Sequence, residues 1–138
     1  DVLSKIKVKG LIQIRGELFA PAEHNRPSYS QRQAGGYLRA ADSTSDHLSF
    51  CCFQIINGKI NQYESLNYLK DLGFTIPENH TCNYISGVEM YRKQWLDGKL
   101  FANYPTDGIV IKINSRKLQL MREKSQGSYP EWQMAIKY

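Results

Sequence analysis

The chain has 138 residues, 41% of them hydrophobic and 22% charged, with a formal charge of +5 and a pI of about 9.1. That is the size of one domain, long enough to bury a core of its own. The composition excludes a low-complexity chain, and no apolar run is long enough to cross a bilayer as a helix. The basic excess suits a polyanion or a nucleotide phosphate without requiring one. Three cysteines, two of them adjacent at Cys51 and Cys52 and without CxxC spacing, read as reduced thiols of a cytoplasmic protein. The chain opens on Asp1 in place of Met, and both ends fall in strand-like pattern, so it is expected to be a segment of a larger protein.

In chain order, Leu11 to Phe19 predicts a strand with Ile12, Ile14 and Leu18 on one face and Gln13, Arg15 and Glu17 on the other. Ala22 to Ser45 is polar, with Arg26, Arg32 and Arg39 spread around Gly35 and Gly36; it predicts a long excursion with one short helix. His47 to Ile56 predicts a buried strand closed by the Asn57-Gly58 turn. Gln62 to Leu72 predicts a helix with Leu66, Leu69 and Leu72 on one stripe and Gly73 as its stop. Phe74 to Pro77 is strand-like, and Ser86-Gly87-Val88-Glu89 has capping-box spacing that would open a helix running to about Trp95, stopped by Asp97-Gly98. Asp107 to Asn114 predicts a strand with Ile109, Ile111 and Ile113 opposite Gly108, Val110 and Lys112. The last strand alternates Trp132, Met134, Ile136 and Tyr138 against Gln133, Ala135 and Lys137. Strands and helices without regular βαβ alternation predict an α+β fold with largely antiparallel sheets and flanking helices.

Charged residues on packing-competent strands are the candidate chemistry: Arg15 and Glu17, Lys112, and Lys137. An unpaired ammonium is costly to bury, and a bound anion offsets that cost. The alternative is a lysine on the solvent face of an edge strand.

The wording and order of these strands carry a resemblance. Arg15-Gly16-Glu17-Leu18-Phe19, the Gln31 to Arg39 segment with its Ala34-Gly35-Gly36-Tyr37-Leu38-Arg39, Phe50-Cys51-Cys52-Phe53, Asp107-Gly108-Ile109-Val110-Ile111-Lys112 and Trp132-Gln133-Met134-Ala135-Ile136-Lys137-Tyr138 together resemble the nucleotidyltransferase (adenylation) domain of NAD-dependent DNA ligases. The resemblance implies the nucleotidyltransferase fold of the ligase superfamily and places residues 1–138 in the C-terminal part of that domain. It implies nucleotide binding by Glu17 (ribose hydroxyls), Phe53 (adenine stacking), Val110, Lys112 and Lys137, the two lysines acting on the α-phosphate, and catalytic roles for Glu17, Lys112 and Lys137. Arg32, Arg39 and Lys99 would contact phosphate or DNA. The family nucleophile is the lysine of a Lys-x-Asp-Gly motif. Here the two Asp-Gly pairs, Asp97-Gly98 and Asp107-Gly108, have Trp95 and Pro105 at the lysine position, so neither serves.

For an intact parent the resemblance implies attack of that lysine on NAD with loss of nicotinamide mononucleotide, passage of AMP to the 5′-phosphate at a nick in duplex DNA, and sealing by the 3′-hydroxyl, in replication and repair. It implies Mg²⁺, a cytoplasmic monomer without a membrane partner, and zinc only in a module outside this chain. This chain alone would not form the lysyl-adenylate. Three departures stand out: the Arg32 to Arg39 spacing is one residue short, Lys99 replaces an arginine, and Glu131 replaces an arginine before Trp132. Two other readings stay open, a degenerate nucleotidyltransferase-like module that binds nucleotide or DNA without chemistry, and an ATP-dependent ligase or capping enzyme, which shares the fold.

Overall fold

A computed structural model describes residues 6–20, 27–39, 48–123 and 130–138. Element order is β1 (Ile14–Phe19), α1 (Pro27–Arg39), β2 (Ser49–Ile55), α2 (Gln62–Asp71), α3 (Ile85–Leu96), β3 (Gly108–Lys112), α4 (Arg116–Arg122) and β4 (Gln133–Lys137). The strands form two antiparallel ribbons, β1 with β2 and β3 with β4. This is the α+β arrangement with antiparallel sheets and flanking helices that the pattern predicts.

The core lies under β1–β2. Strand alternation puts Ile14 opposite Ile55, Gly16 opposite Cys52 and Leu18 opposite Phe50. Cys52 joins Leu69 and Phe74 in the buried cluster, with Ile12, Ile14, Phe50, Ile55 and Leu72 packed against it. Gly16 is obligatory here: a Cβ would lie 2.4 Å from both the Cys51 carbonyl and the Phe50 ring. The other face of the ribbon carries Arg15 and Glu17. Its register skips one residue, with Arg15 opposite Gln54 but Gly16 opposite Cys52, which leaves Phe53 as a bulge without a partner on β1. Bulges re-aim a side chain and free a carbonyl.

Helix α2 forms from the predicted leucine stripe, with Leu66 and Leu69 buried. It ends in a Schellman motif: Phe74 N donates to Leu69 O and Gly73 N to Lys70 O, with Gly73 at φ +100°. Helix α3 closes the same way through Gly98 at φ +69°, with Lys99 N donating to Gln94 O. Its start departs from expectation. The N-cap is Tyr84, Ser86 lies inside the helix, and the capping box does not form, because the chain turns helical at Ile85, before the serine.

Three further corrections concern extents. The strand predicted from Leu11 begins at Ile14, and Phe74 to Pro77 makes only one bridge, Cys51 with Thr75. The polar excursion contains a 13-residue helix, α1, packed on β1; residues 22–26 and 40–45 of that stretch, like His47, lie outside the described residues. Helix α4 has no counterpart in the sequence pattern; Ser115 Oγ caps it by accepting from Leu118 N.

A polar seam joins the two ribbons through exchanged caps. Asn114, just past β3, accepts from Tyr63 N at the start of α2 through Oδ1 at 2.9 Å. Asn61, just before α2, accepts from Arg116 N at the start of α4 at 3.0 Å. Arg116 Nε also donates to Gly58 O at 2.7 Å, and buried Gln119 donates to Ile113 O at 2.7 Å. Orphan N–H groups at the starts of α2 and α4 are thereby satisfied by the other ribbon's connection, which ties β3 to β2.

Candidate active site

Lys112 closes β3 and lies between the ribbons. Its Nζ sits 5.1 Å from the Phe53 ring centroid and 5.7 Å from that of Trp132, and 3.4 Å from the Phe53 carbonyl. Two aromatic faces and one long hydrogen bond hold the ammonium, and no carboxylate among the described residues pairs with it. Burial, and then the Arg15 guanidinium, push its pKa from 10.5 down to about 8. Such a cation is under-compensated, so a phosphate beside it would relieve both desolvation and repulsion.

Glu17 stands on the face of β1 that carries Arg15, opposite Cys51. Its carboxyl is raised above the usual range, first by burial and then by the nearby Asp107 carboxylate. Burial also raises the Cys51 thiol to about 11, with smaller contributions from Cys52 and Glu17, so the thiol stays protonated and unreactive at neutral pH. Asp107, at the foot of β3, forms an exposed ion pair with Lys137 at 3.0 Å.

Cross-strand pairing puts both lysines on one face of the second ribbon, since Lys112 pairs with Gln133 and Gly108 with Lys137. They stand four residues apart along the strands, about 13 Å at ~3.3 Å per residue. The lysines therefore start from opposite ends of this face, Lys112 beside Phe53 and Lys137 beside Asp107. Val110 lies midway on that face, opposite Ala135 and 59% exposed, an open apolar step between the charges. Trp132 is buried, and its Nε1 has no hydrogen-bond partner among the described residues, leaving an unused donor beside Lys112.

The remaining predicted residues are exposed. Arg32 and Arg39 are exposed on α1, two turns apart and so on one face of the helix. Lys99, beyond α3, is exposed and pairs with Asp97 at 3.6 Å. No group of three or more His, Cys, Asp or Glu side chains among the described residues could hold a metal ion. All three cysteines are free thiols. Two contributors carry weak sequence signals. Asp107 opens the Asp107 to Lys112 segment without a role of its own, and Gln62, whose Nε2 donates to the Phe53 carbonyl at 3.1 Å, looks like an ordinary helix-start residue.

Fold and site define an α+β domain that sets an under-compensated lysine against an aromatic face, with a carboxylate and a second cation on the neighbouring strands, an arrangement suited to a nucleotide and its phosphates. The chain belongs to the NAD-dependent DNA ligase adenylation domain family, whose model matches residues 2–138. It is similar to the DNA ligase of Thermotoga maritima, 28% identical over 92% of this chain and 21% of that protein. The DNA ligase of Halalkalibacterium halodurans is 31% identical over 97% of this chain and 23% of that protein, and that of a Synechococcus species 29% identical over 93% and 22%. The chain thus spans about a fifth of the length of these curated relatives. No helix among the described residues is long and apolar enough to cross a membrane.

Proposed function

We propose that this chain forms the adenylate-holding part of an NAD-dependent DNA ligase with the nucleotidyltransferase fold, which seals nicks in duplex DNA during replication and repair. In this reading the chain is the C-terminal part of the adenylation domain, and the nucleophilic lysine belongs to a Lys-x-Asp-Gly segment elsewhere in the full-length protein. NAD is the substrate that supplies the adenylyl group. Phe53 and Val110 offer the base an apolar bed, Glu17 accepts from the ribose hydroxyls, and Lys112 and Lys137 stabilise charge at the transferring phosphate. Arg32, Arg39 and Lys99, all exposed, are assigned to the DNA phosphates, where exposed cations act by counterion release. Mg²⁺ would rest mainly on the phosphates, with at most Glu17 and Asp107 as carboxylate ligands, in keeping with its use of few protein groups. A monomer working in the cytoplasm completes the proposal.

The observation that carries the reading is Lys112, half-buried on the Phe53 and Trp132 rings with its pKa lowered to about 8. A lysine on a merely solvent-facing edge strand would not be held this way. In the full-length ligase, Lys112→Ala and Lys137→Ala are each expected to slow adenylyl transfer from NAD by ~10²-fold or more, the scale of losing a preorganised charge. Near-normal nick sealing by both variants would refute the site assignment. Self-adenylation supported by ATP and not by NAD would refute the choice of substrate.

A further inference from the structure

The Phe53 carbonyl receives two donors from different parts of the fold. Lys112 Nζ approaches it at 3.4 Å and Gln62 Nε2 at 3.1 Å. Phe53 is the bulged residue of β2, with no Cα partner on β1, and its carbonyl takes both side-chain donors. Gln62 is fastened at its other end to the extension of the lysine's own strand. Its backbone N donates to Asn114 O at 2.9 Å, and Asn114 Oδ1 takes the next N–H, that of Tyr63, at 2.9 Å. Asn114 follows Lys112 by two residues. Gln62 thus bridges the aromatic strand and the lysine strand.

We propose that Gln62 is a positioning residue that occupies the Phe53 carbonyl so that Lys112 is held there only loosely and can move onto a nucleotide phosphate. The proposal rests on the phosphate role of Lys112 stated above. A carbonyl oxygen has two lone pairs, and a donor on one weakens its pull on the other. The longer Lys112 bond, at the limit of hydrogen-bonding distance, fits this division. Without the Gln62 donor, the ammonium has the oxygen to itself and binds it more closely. In this proposal Lys112 leaves the carbonyl as charge builds on the transferring phosphate and not on nucleotide binding, so extra resting-state stabilisation raises the barrier while nucleotide affinity does not change.

The test uses full-length ligase carrying Gln62→Leu or Gln62→Glu, with the rate of self-adenylation measured against NAD concentration. Leucine removes the donor; glutamate removes it and adds a charge that retains the ammonium more strongly. The maximal rate is expected to fall about 3- to 10-fold for leucine and on the order of 30-fold for glutamate, by the scale of charge positioning in active sites. The NAD concentration for half-maximal rate and the melting temperature should stay near wild type. Wild-type maximal rates in both variants would overturn the proposal. Equal losses in both, matched by weaker NAD binding or lower melting temperature, would also overturn it, by showing a structural role only. Lys112→Ala, run alongside, separates the two claims. If it keeps the wild-type rate, the phosphate role of Lys112 fails and this inference falls with it. If it is slow while both Gln62 variants are normal, only the inference fails.

Discussion

Replacing Lys112 by methionine should make the protein more stable. The folded state lowers the pKa of this ammonium from 10.5 to about 8. At 1.36 kcal/mol per pKa unit that is an electrostatic cost of about 3 kcal/mol, reduced to ~2 kcal/mol because part of the side chain still reaches solvent. Methionine keeps the length and apolar stem but gives up the cation–π contacts with Phe53 and Trp132, worth roughly 1 kcal/mol. The Phe53 carbonyl keeps its Gln62 donor, so no acceptor is orphaned. The net expectation at pH 7 is a gain of about 1 kcal/mol, or several degrees of melting temperature for a domain of this size. The gain must depend on pH. The unfolded chain holds this proton more tightly than the folded one, so the cost is fully present below pH 8 and fades as pH rises toward 10.5. Urea unfolding of wild type and Lys112→Met at pH 7 and pH 10 reads both effects. A variant less stable than wild type at pH 7, or a difference unchanged at pH 10, would refute the account of a buried, under-compensated cation.

Two glycines should respond in opposite directions. Gly16→Ala drives a Cβ into the Cys51 carbonyl and the Phe50 ring and should cost roughly 2–3 kcal/mol, measured by denaturant unfolding. Gly36→Ala, in α1 where a Cβ meets nothing within 4 Å, should stabilise by ~0.5–1 kcal/mol through the reduced freedom of the unfolded chain. Asn114→Ala removes the acceptor for Tyr63 N and should cost about 1 kcal/mol, with early loss of amide protection at the start of α2 by hydrogen exchange. An unprotected α2 start in the wild type would contradict that cap.

Elements whose signal is local were legible in the chain. The leucine stripe and Gly73 specify α2 and its end without reference to anything else, because helical period and a left-handed stop are properties of consecutive residues. The alternation around Ile109 to Lys112 specifies β3 equally well. Helix α1 was obscured by Gly35 and Gly36, which each cost about 1 kcal/mol in a helix interior, and it forms while packed on β1. Helix α4 was obscured because its start is secured by Asn61, 55 residues away, and its buried face is a glutamine.

The identity of Glu17, Phe53, Lys112 and Lys137 as candidates came from residue type and order alone, together with the family resemblance those residues carry. What tertiary structure decided is how they stand to one another. A one-residue skip in the β1–β2 register leaves Phe53 without a cross-strand partner, and exchanged asparagine caps bring β3 beside it. The second ribbon spreads its two lysines along one face, and the pairing of Lys137 with Asp107 follows from that spacing. A chain pattern states which side chains share a face. It does not state which faces meet, because that depends on contacts between residues far apart in sequence, and here those contacts set the charge state and reach of Lys112.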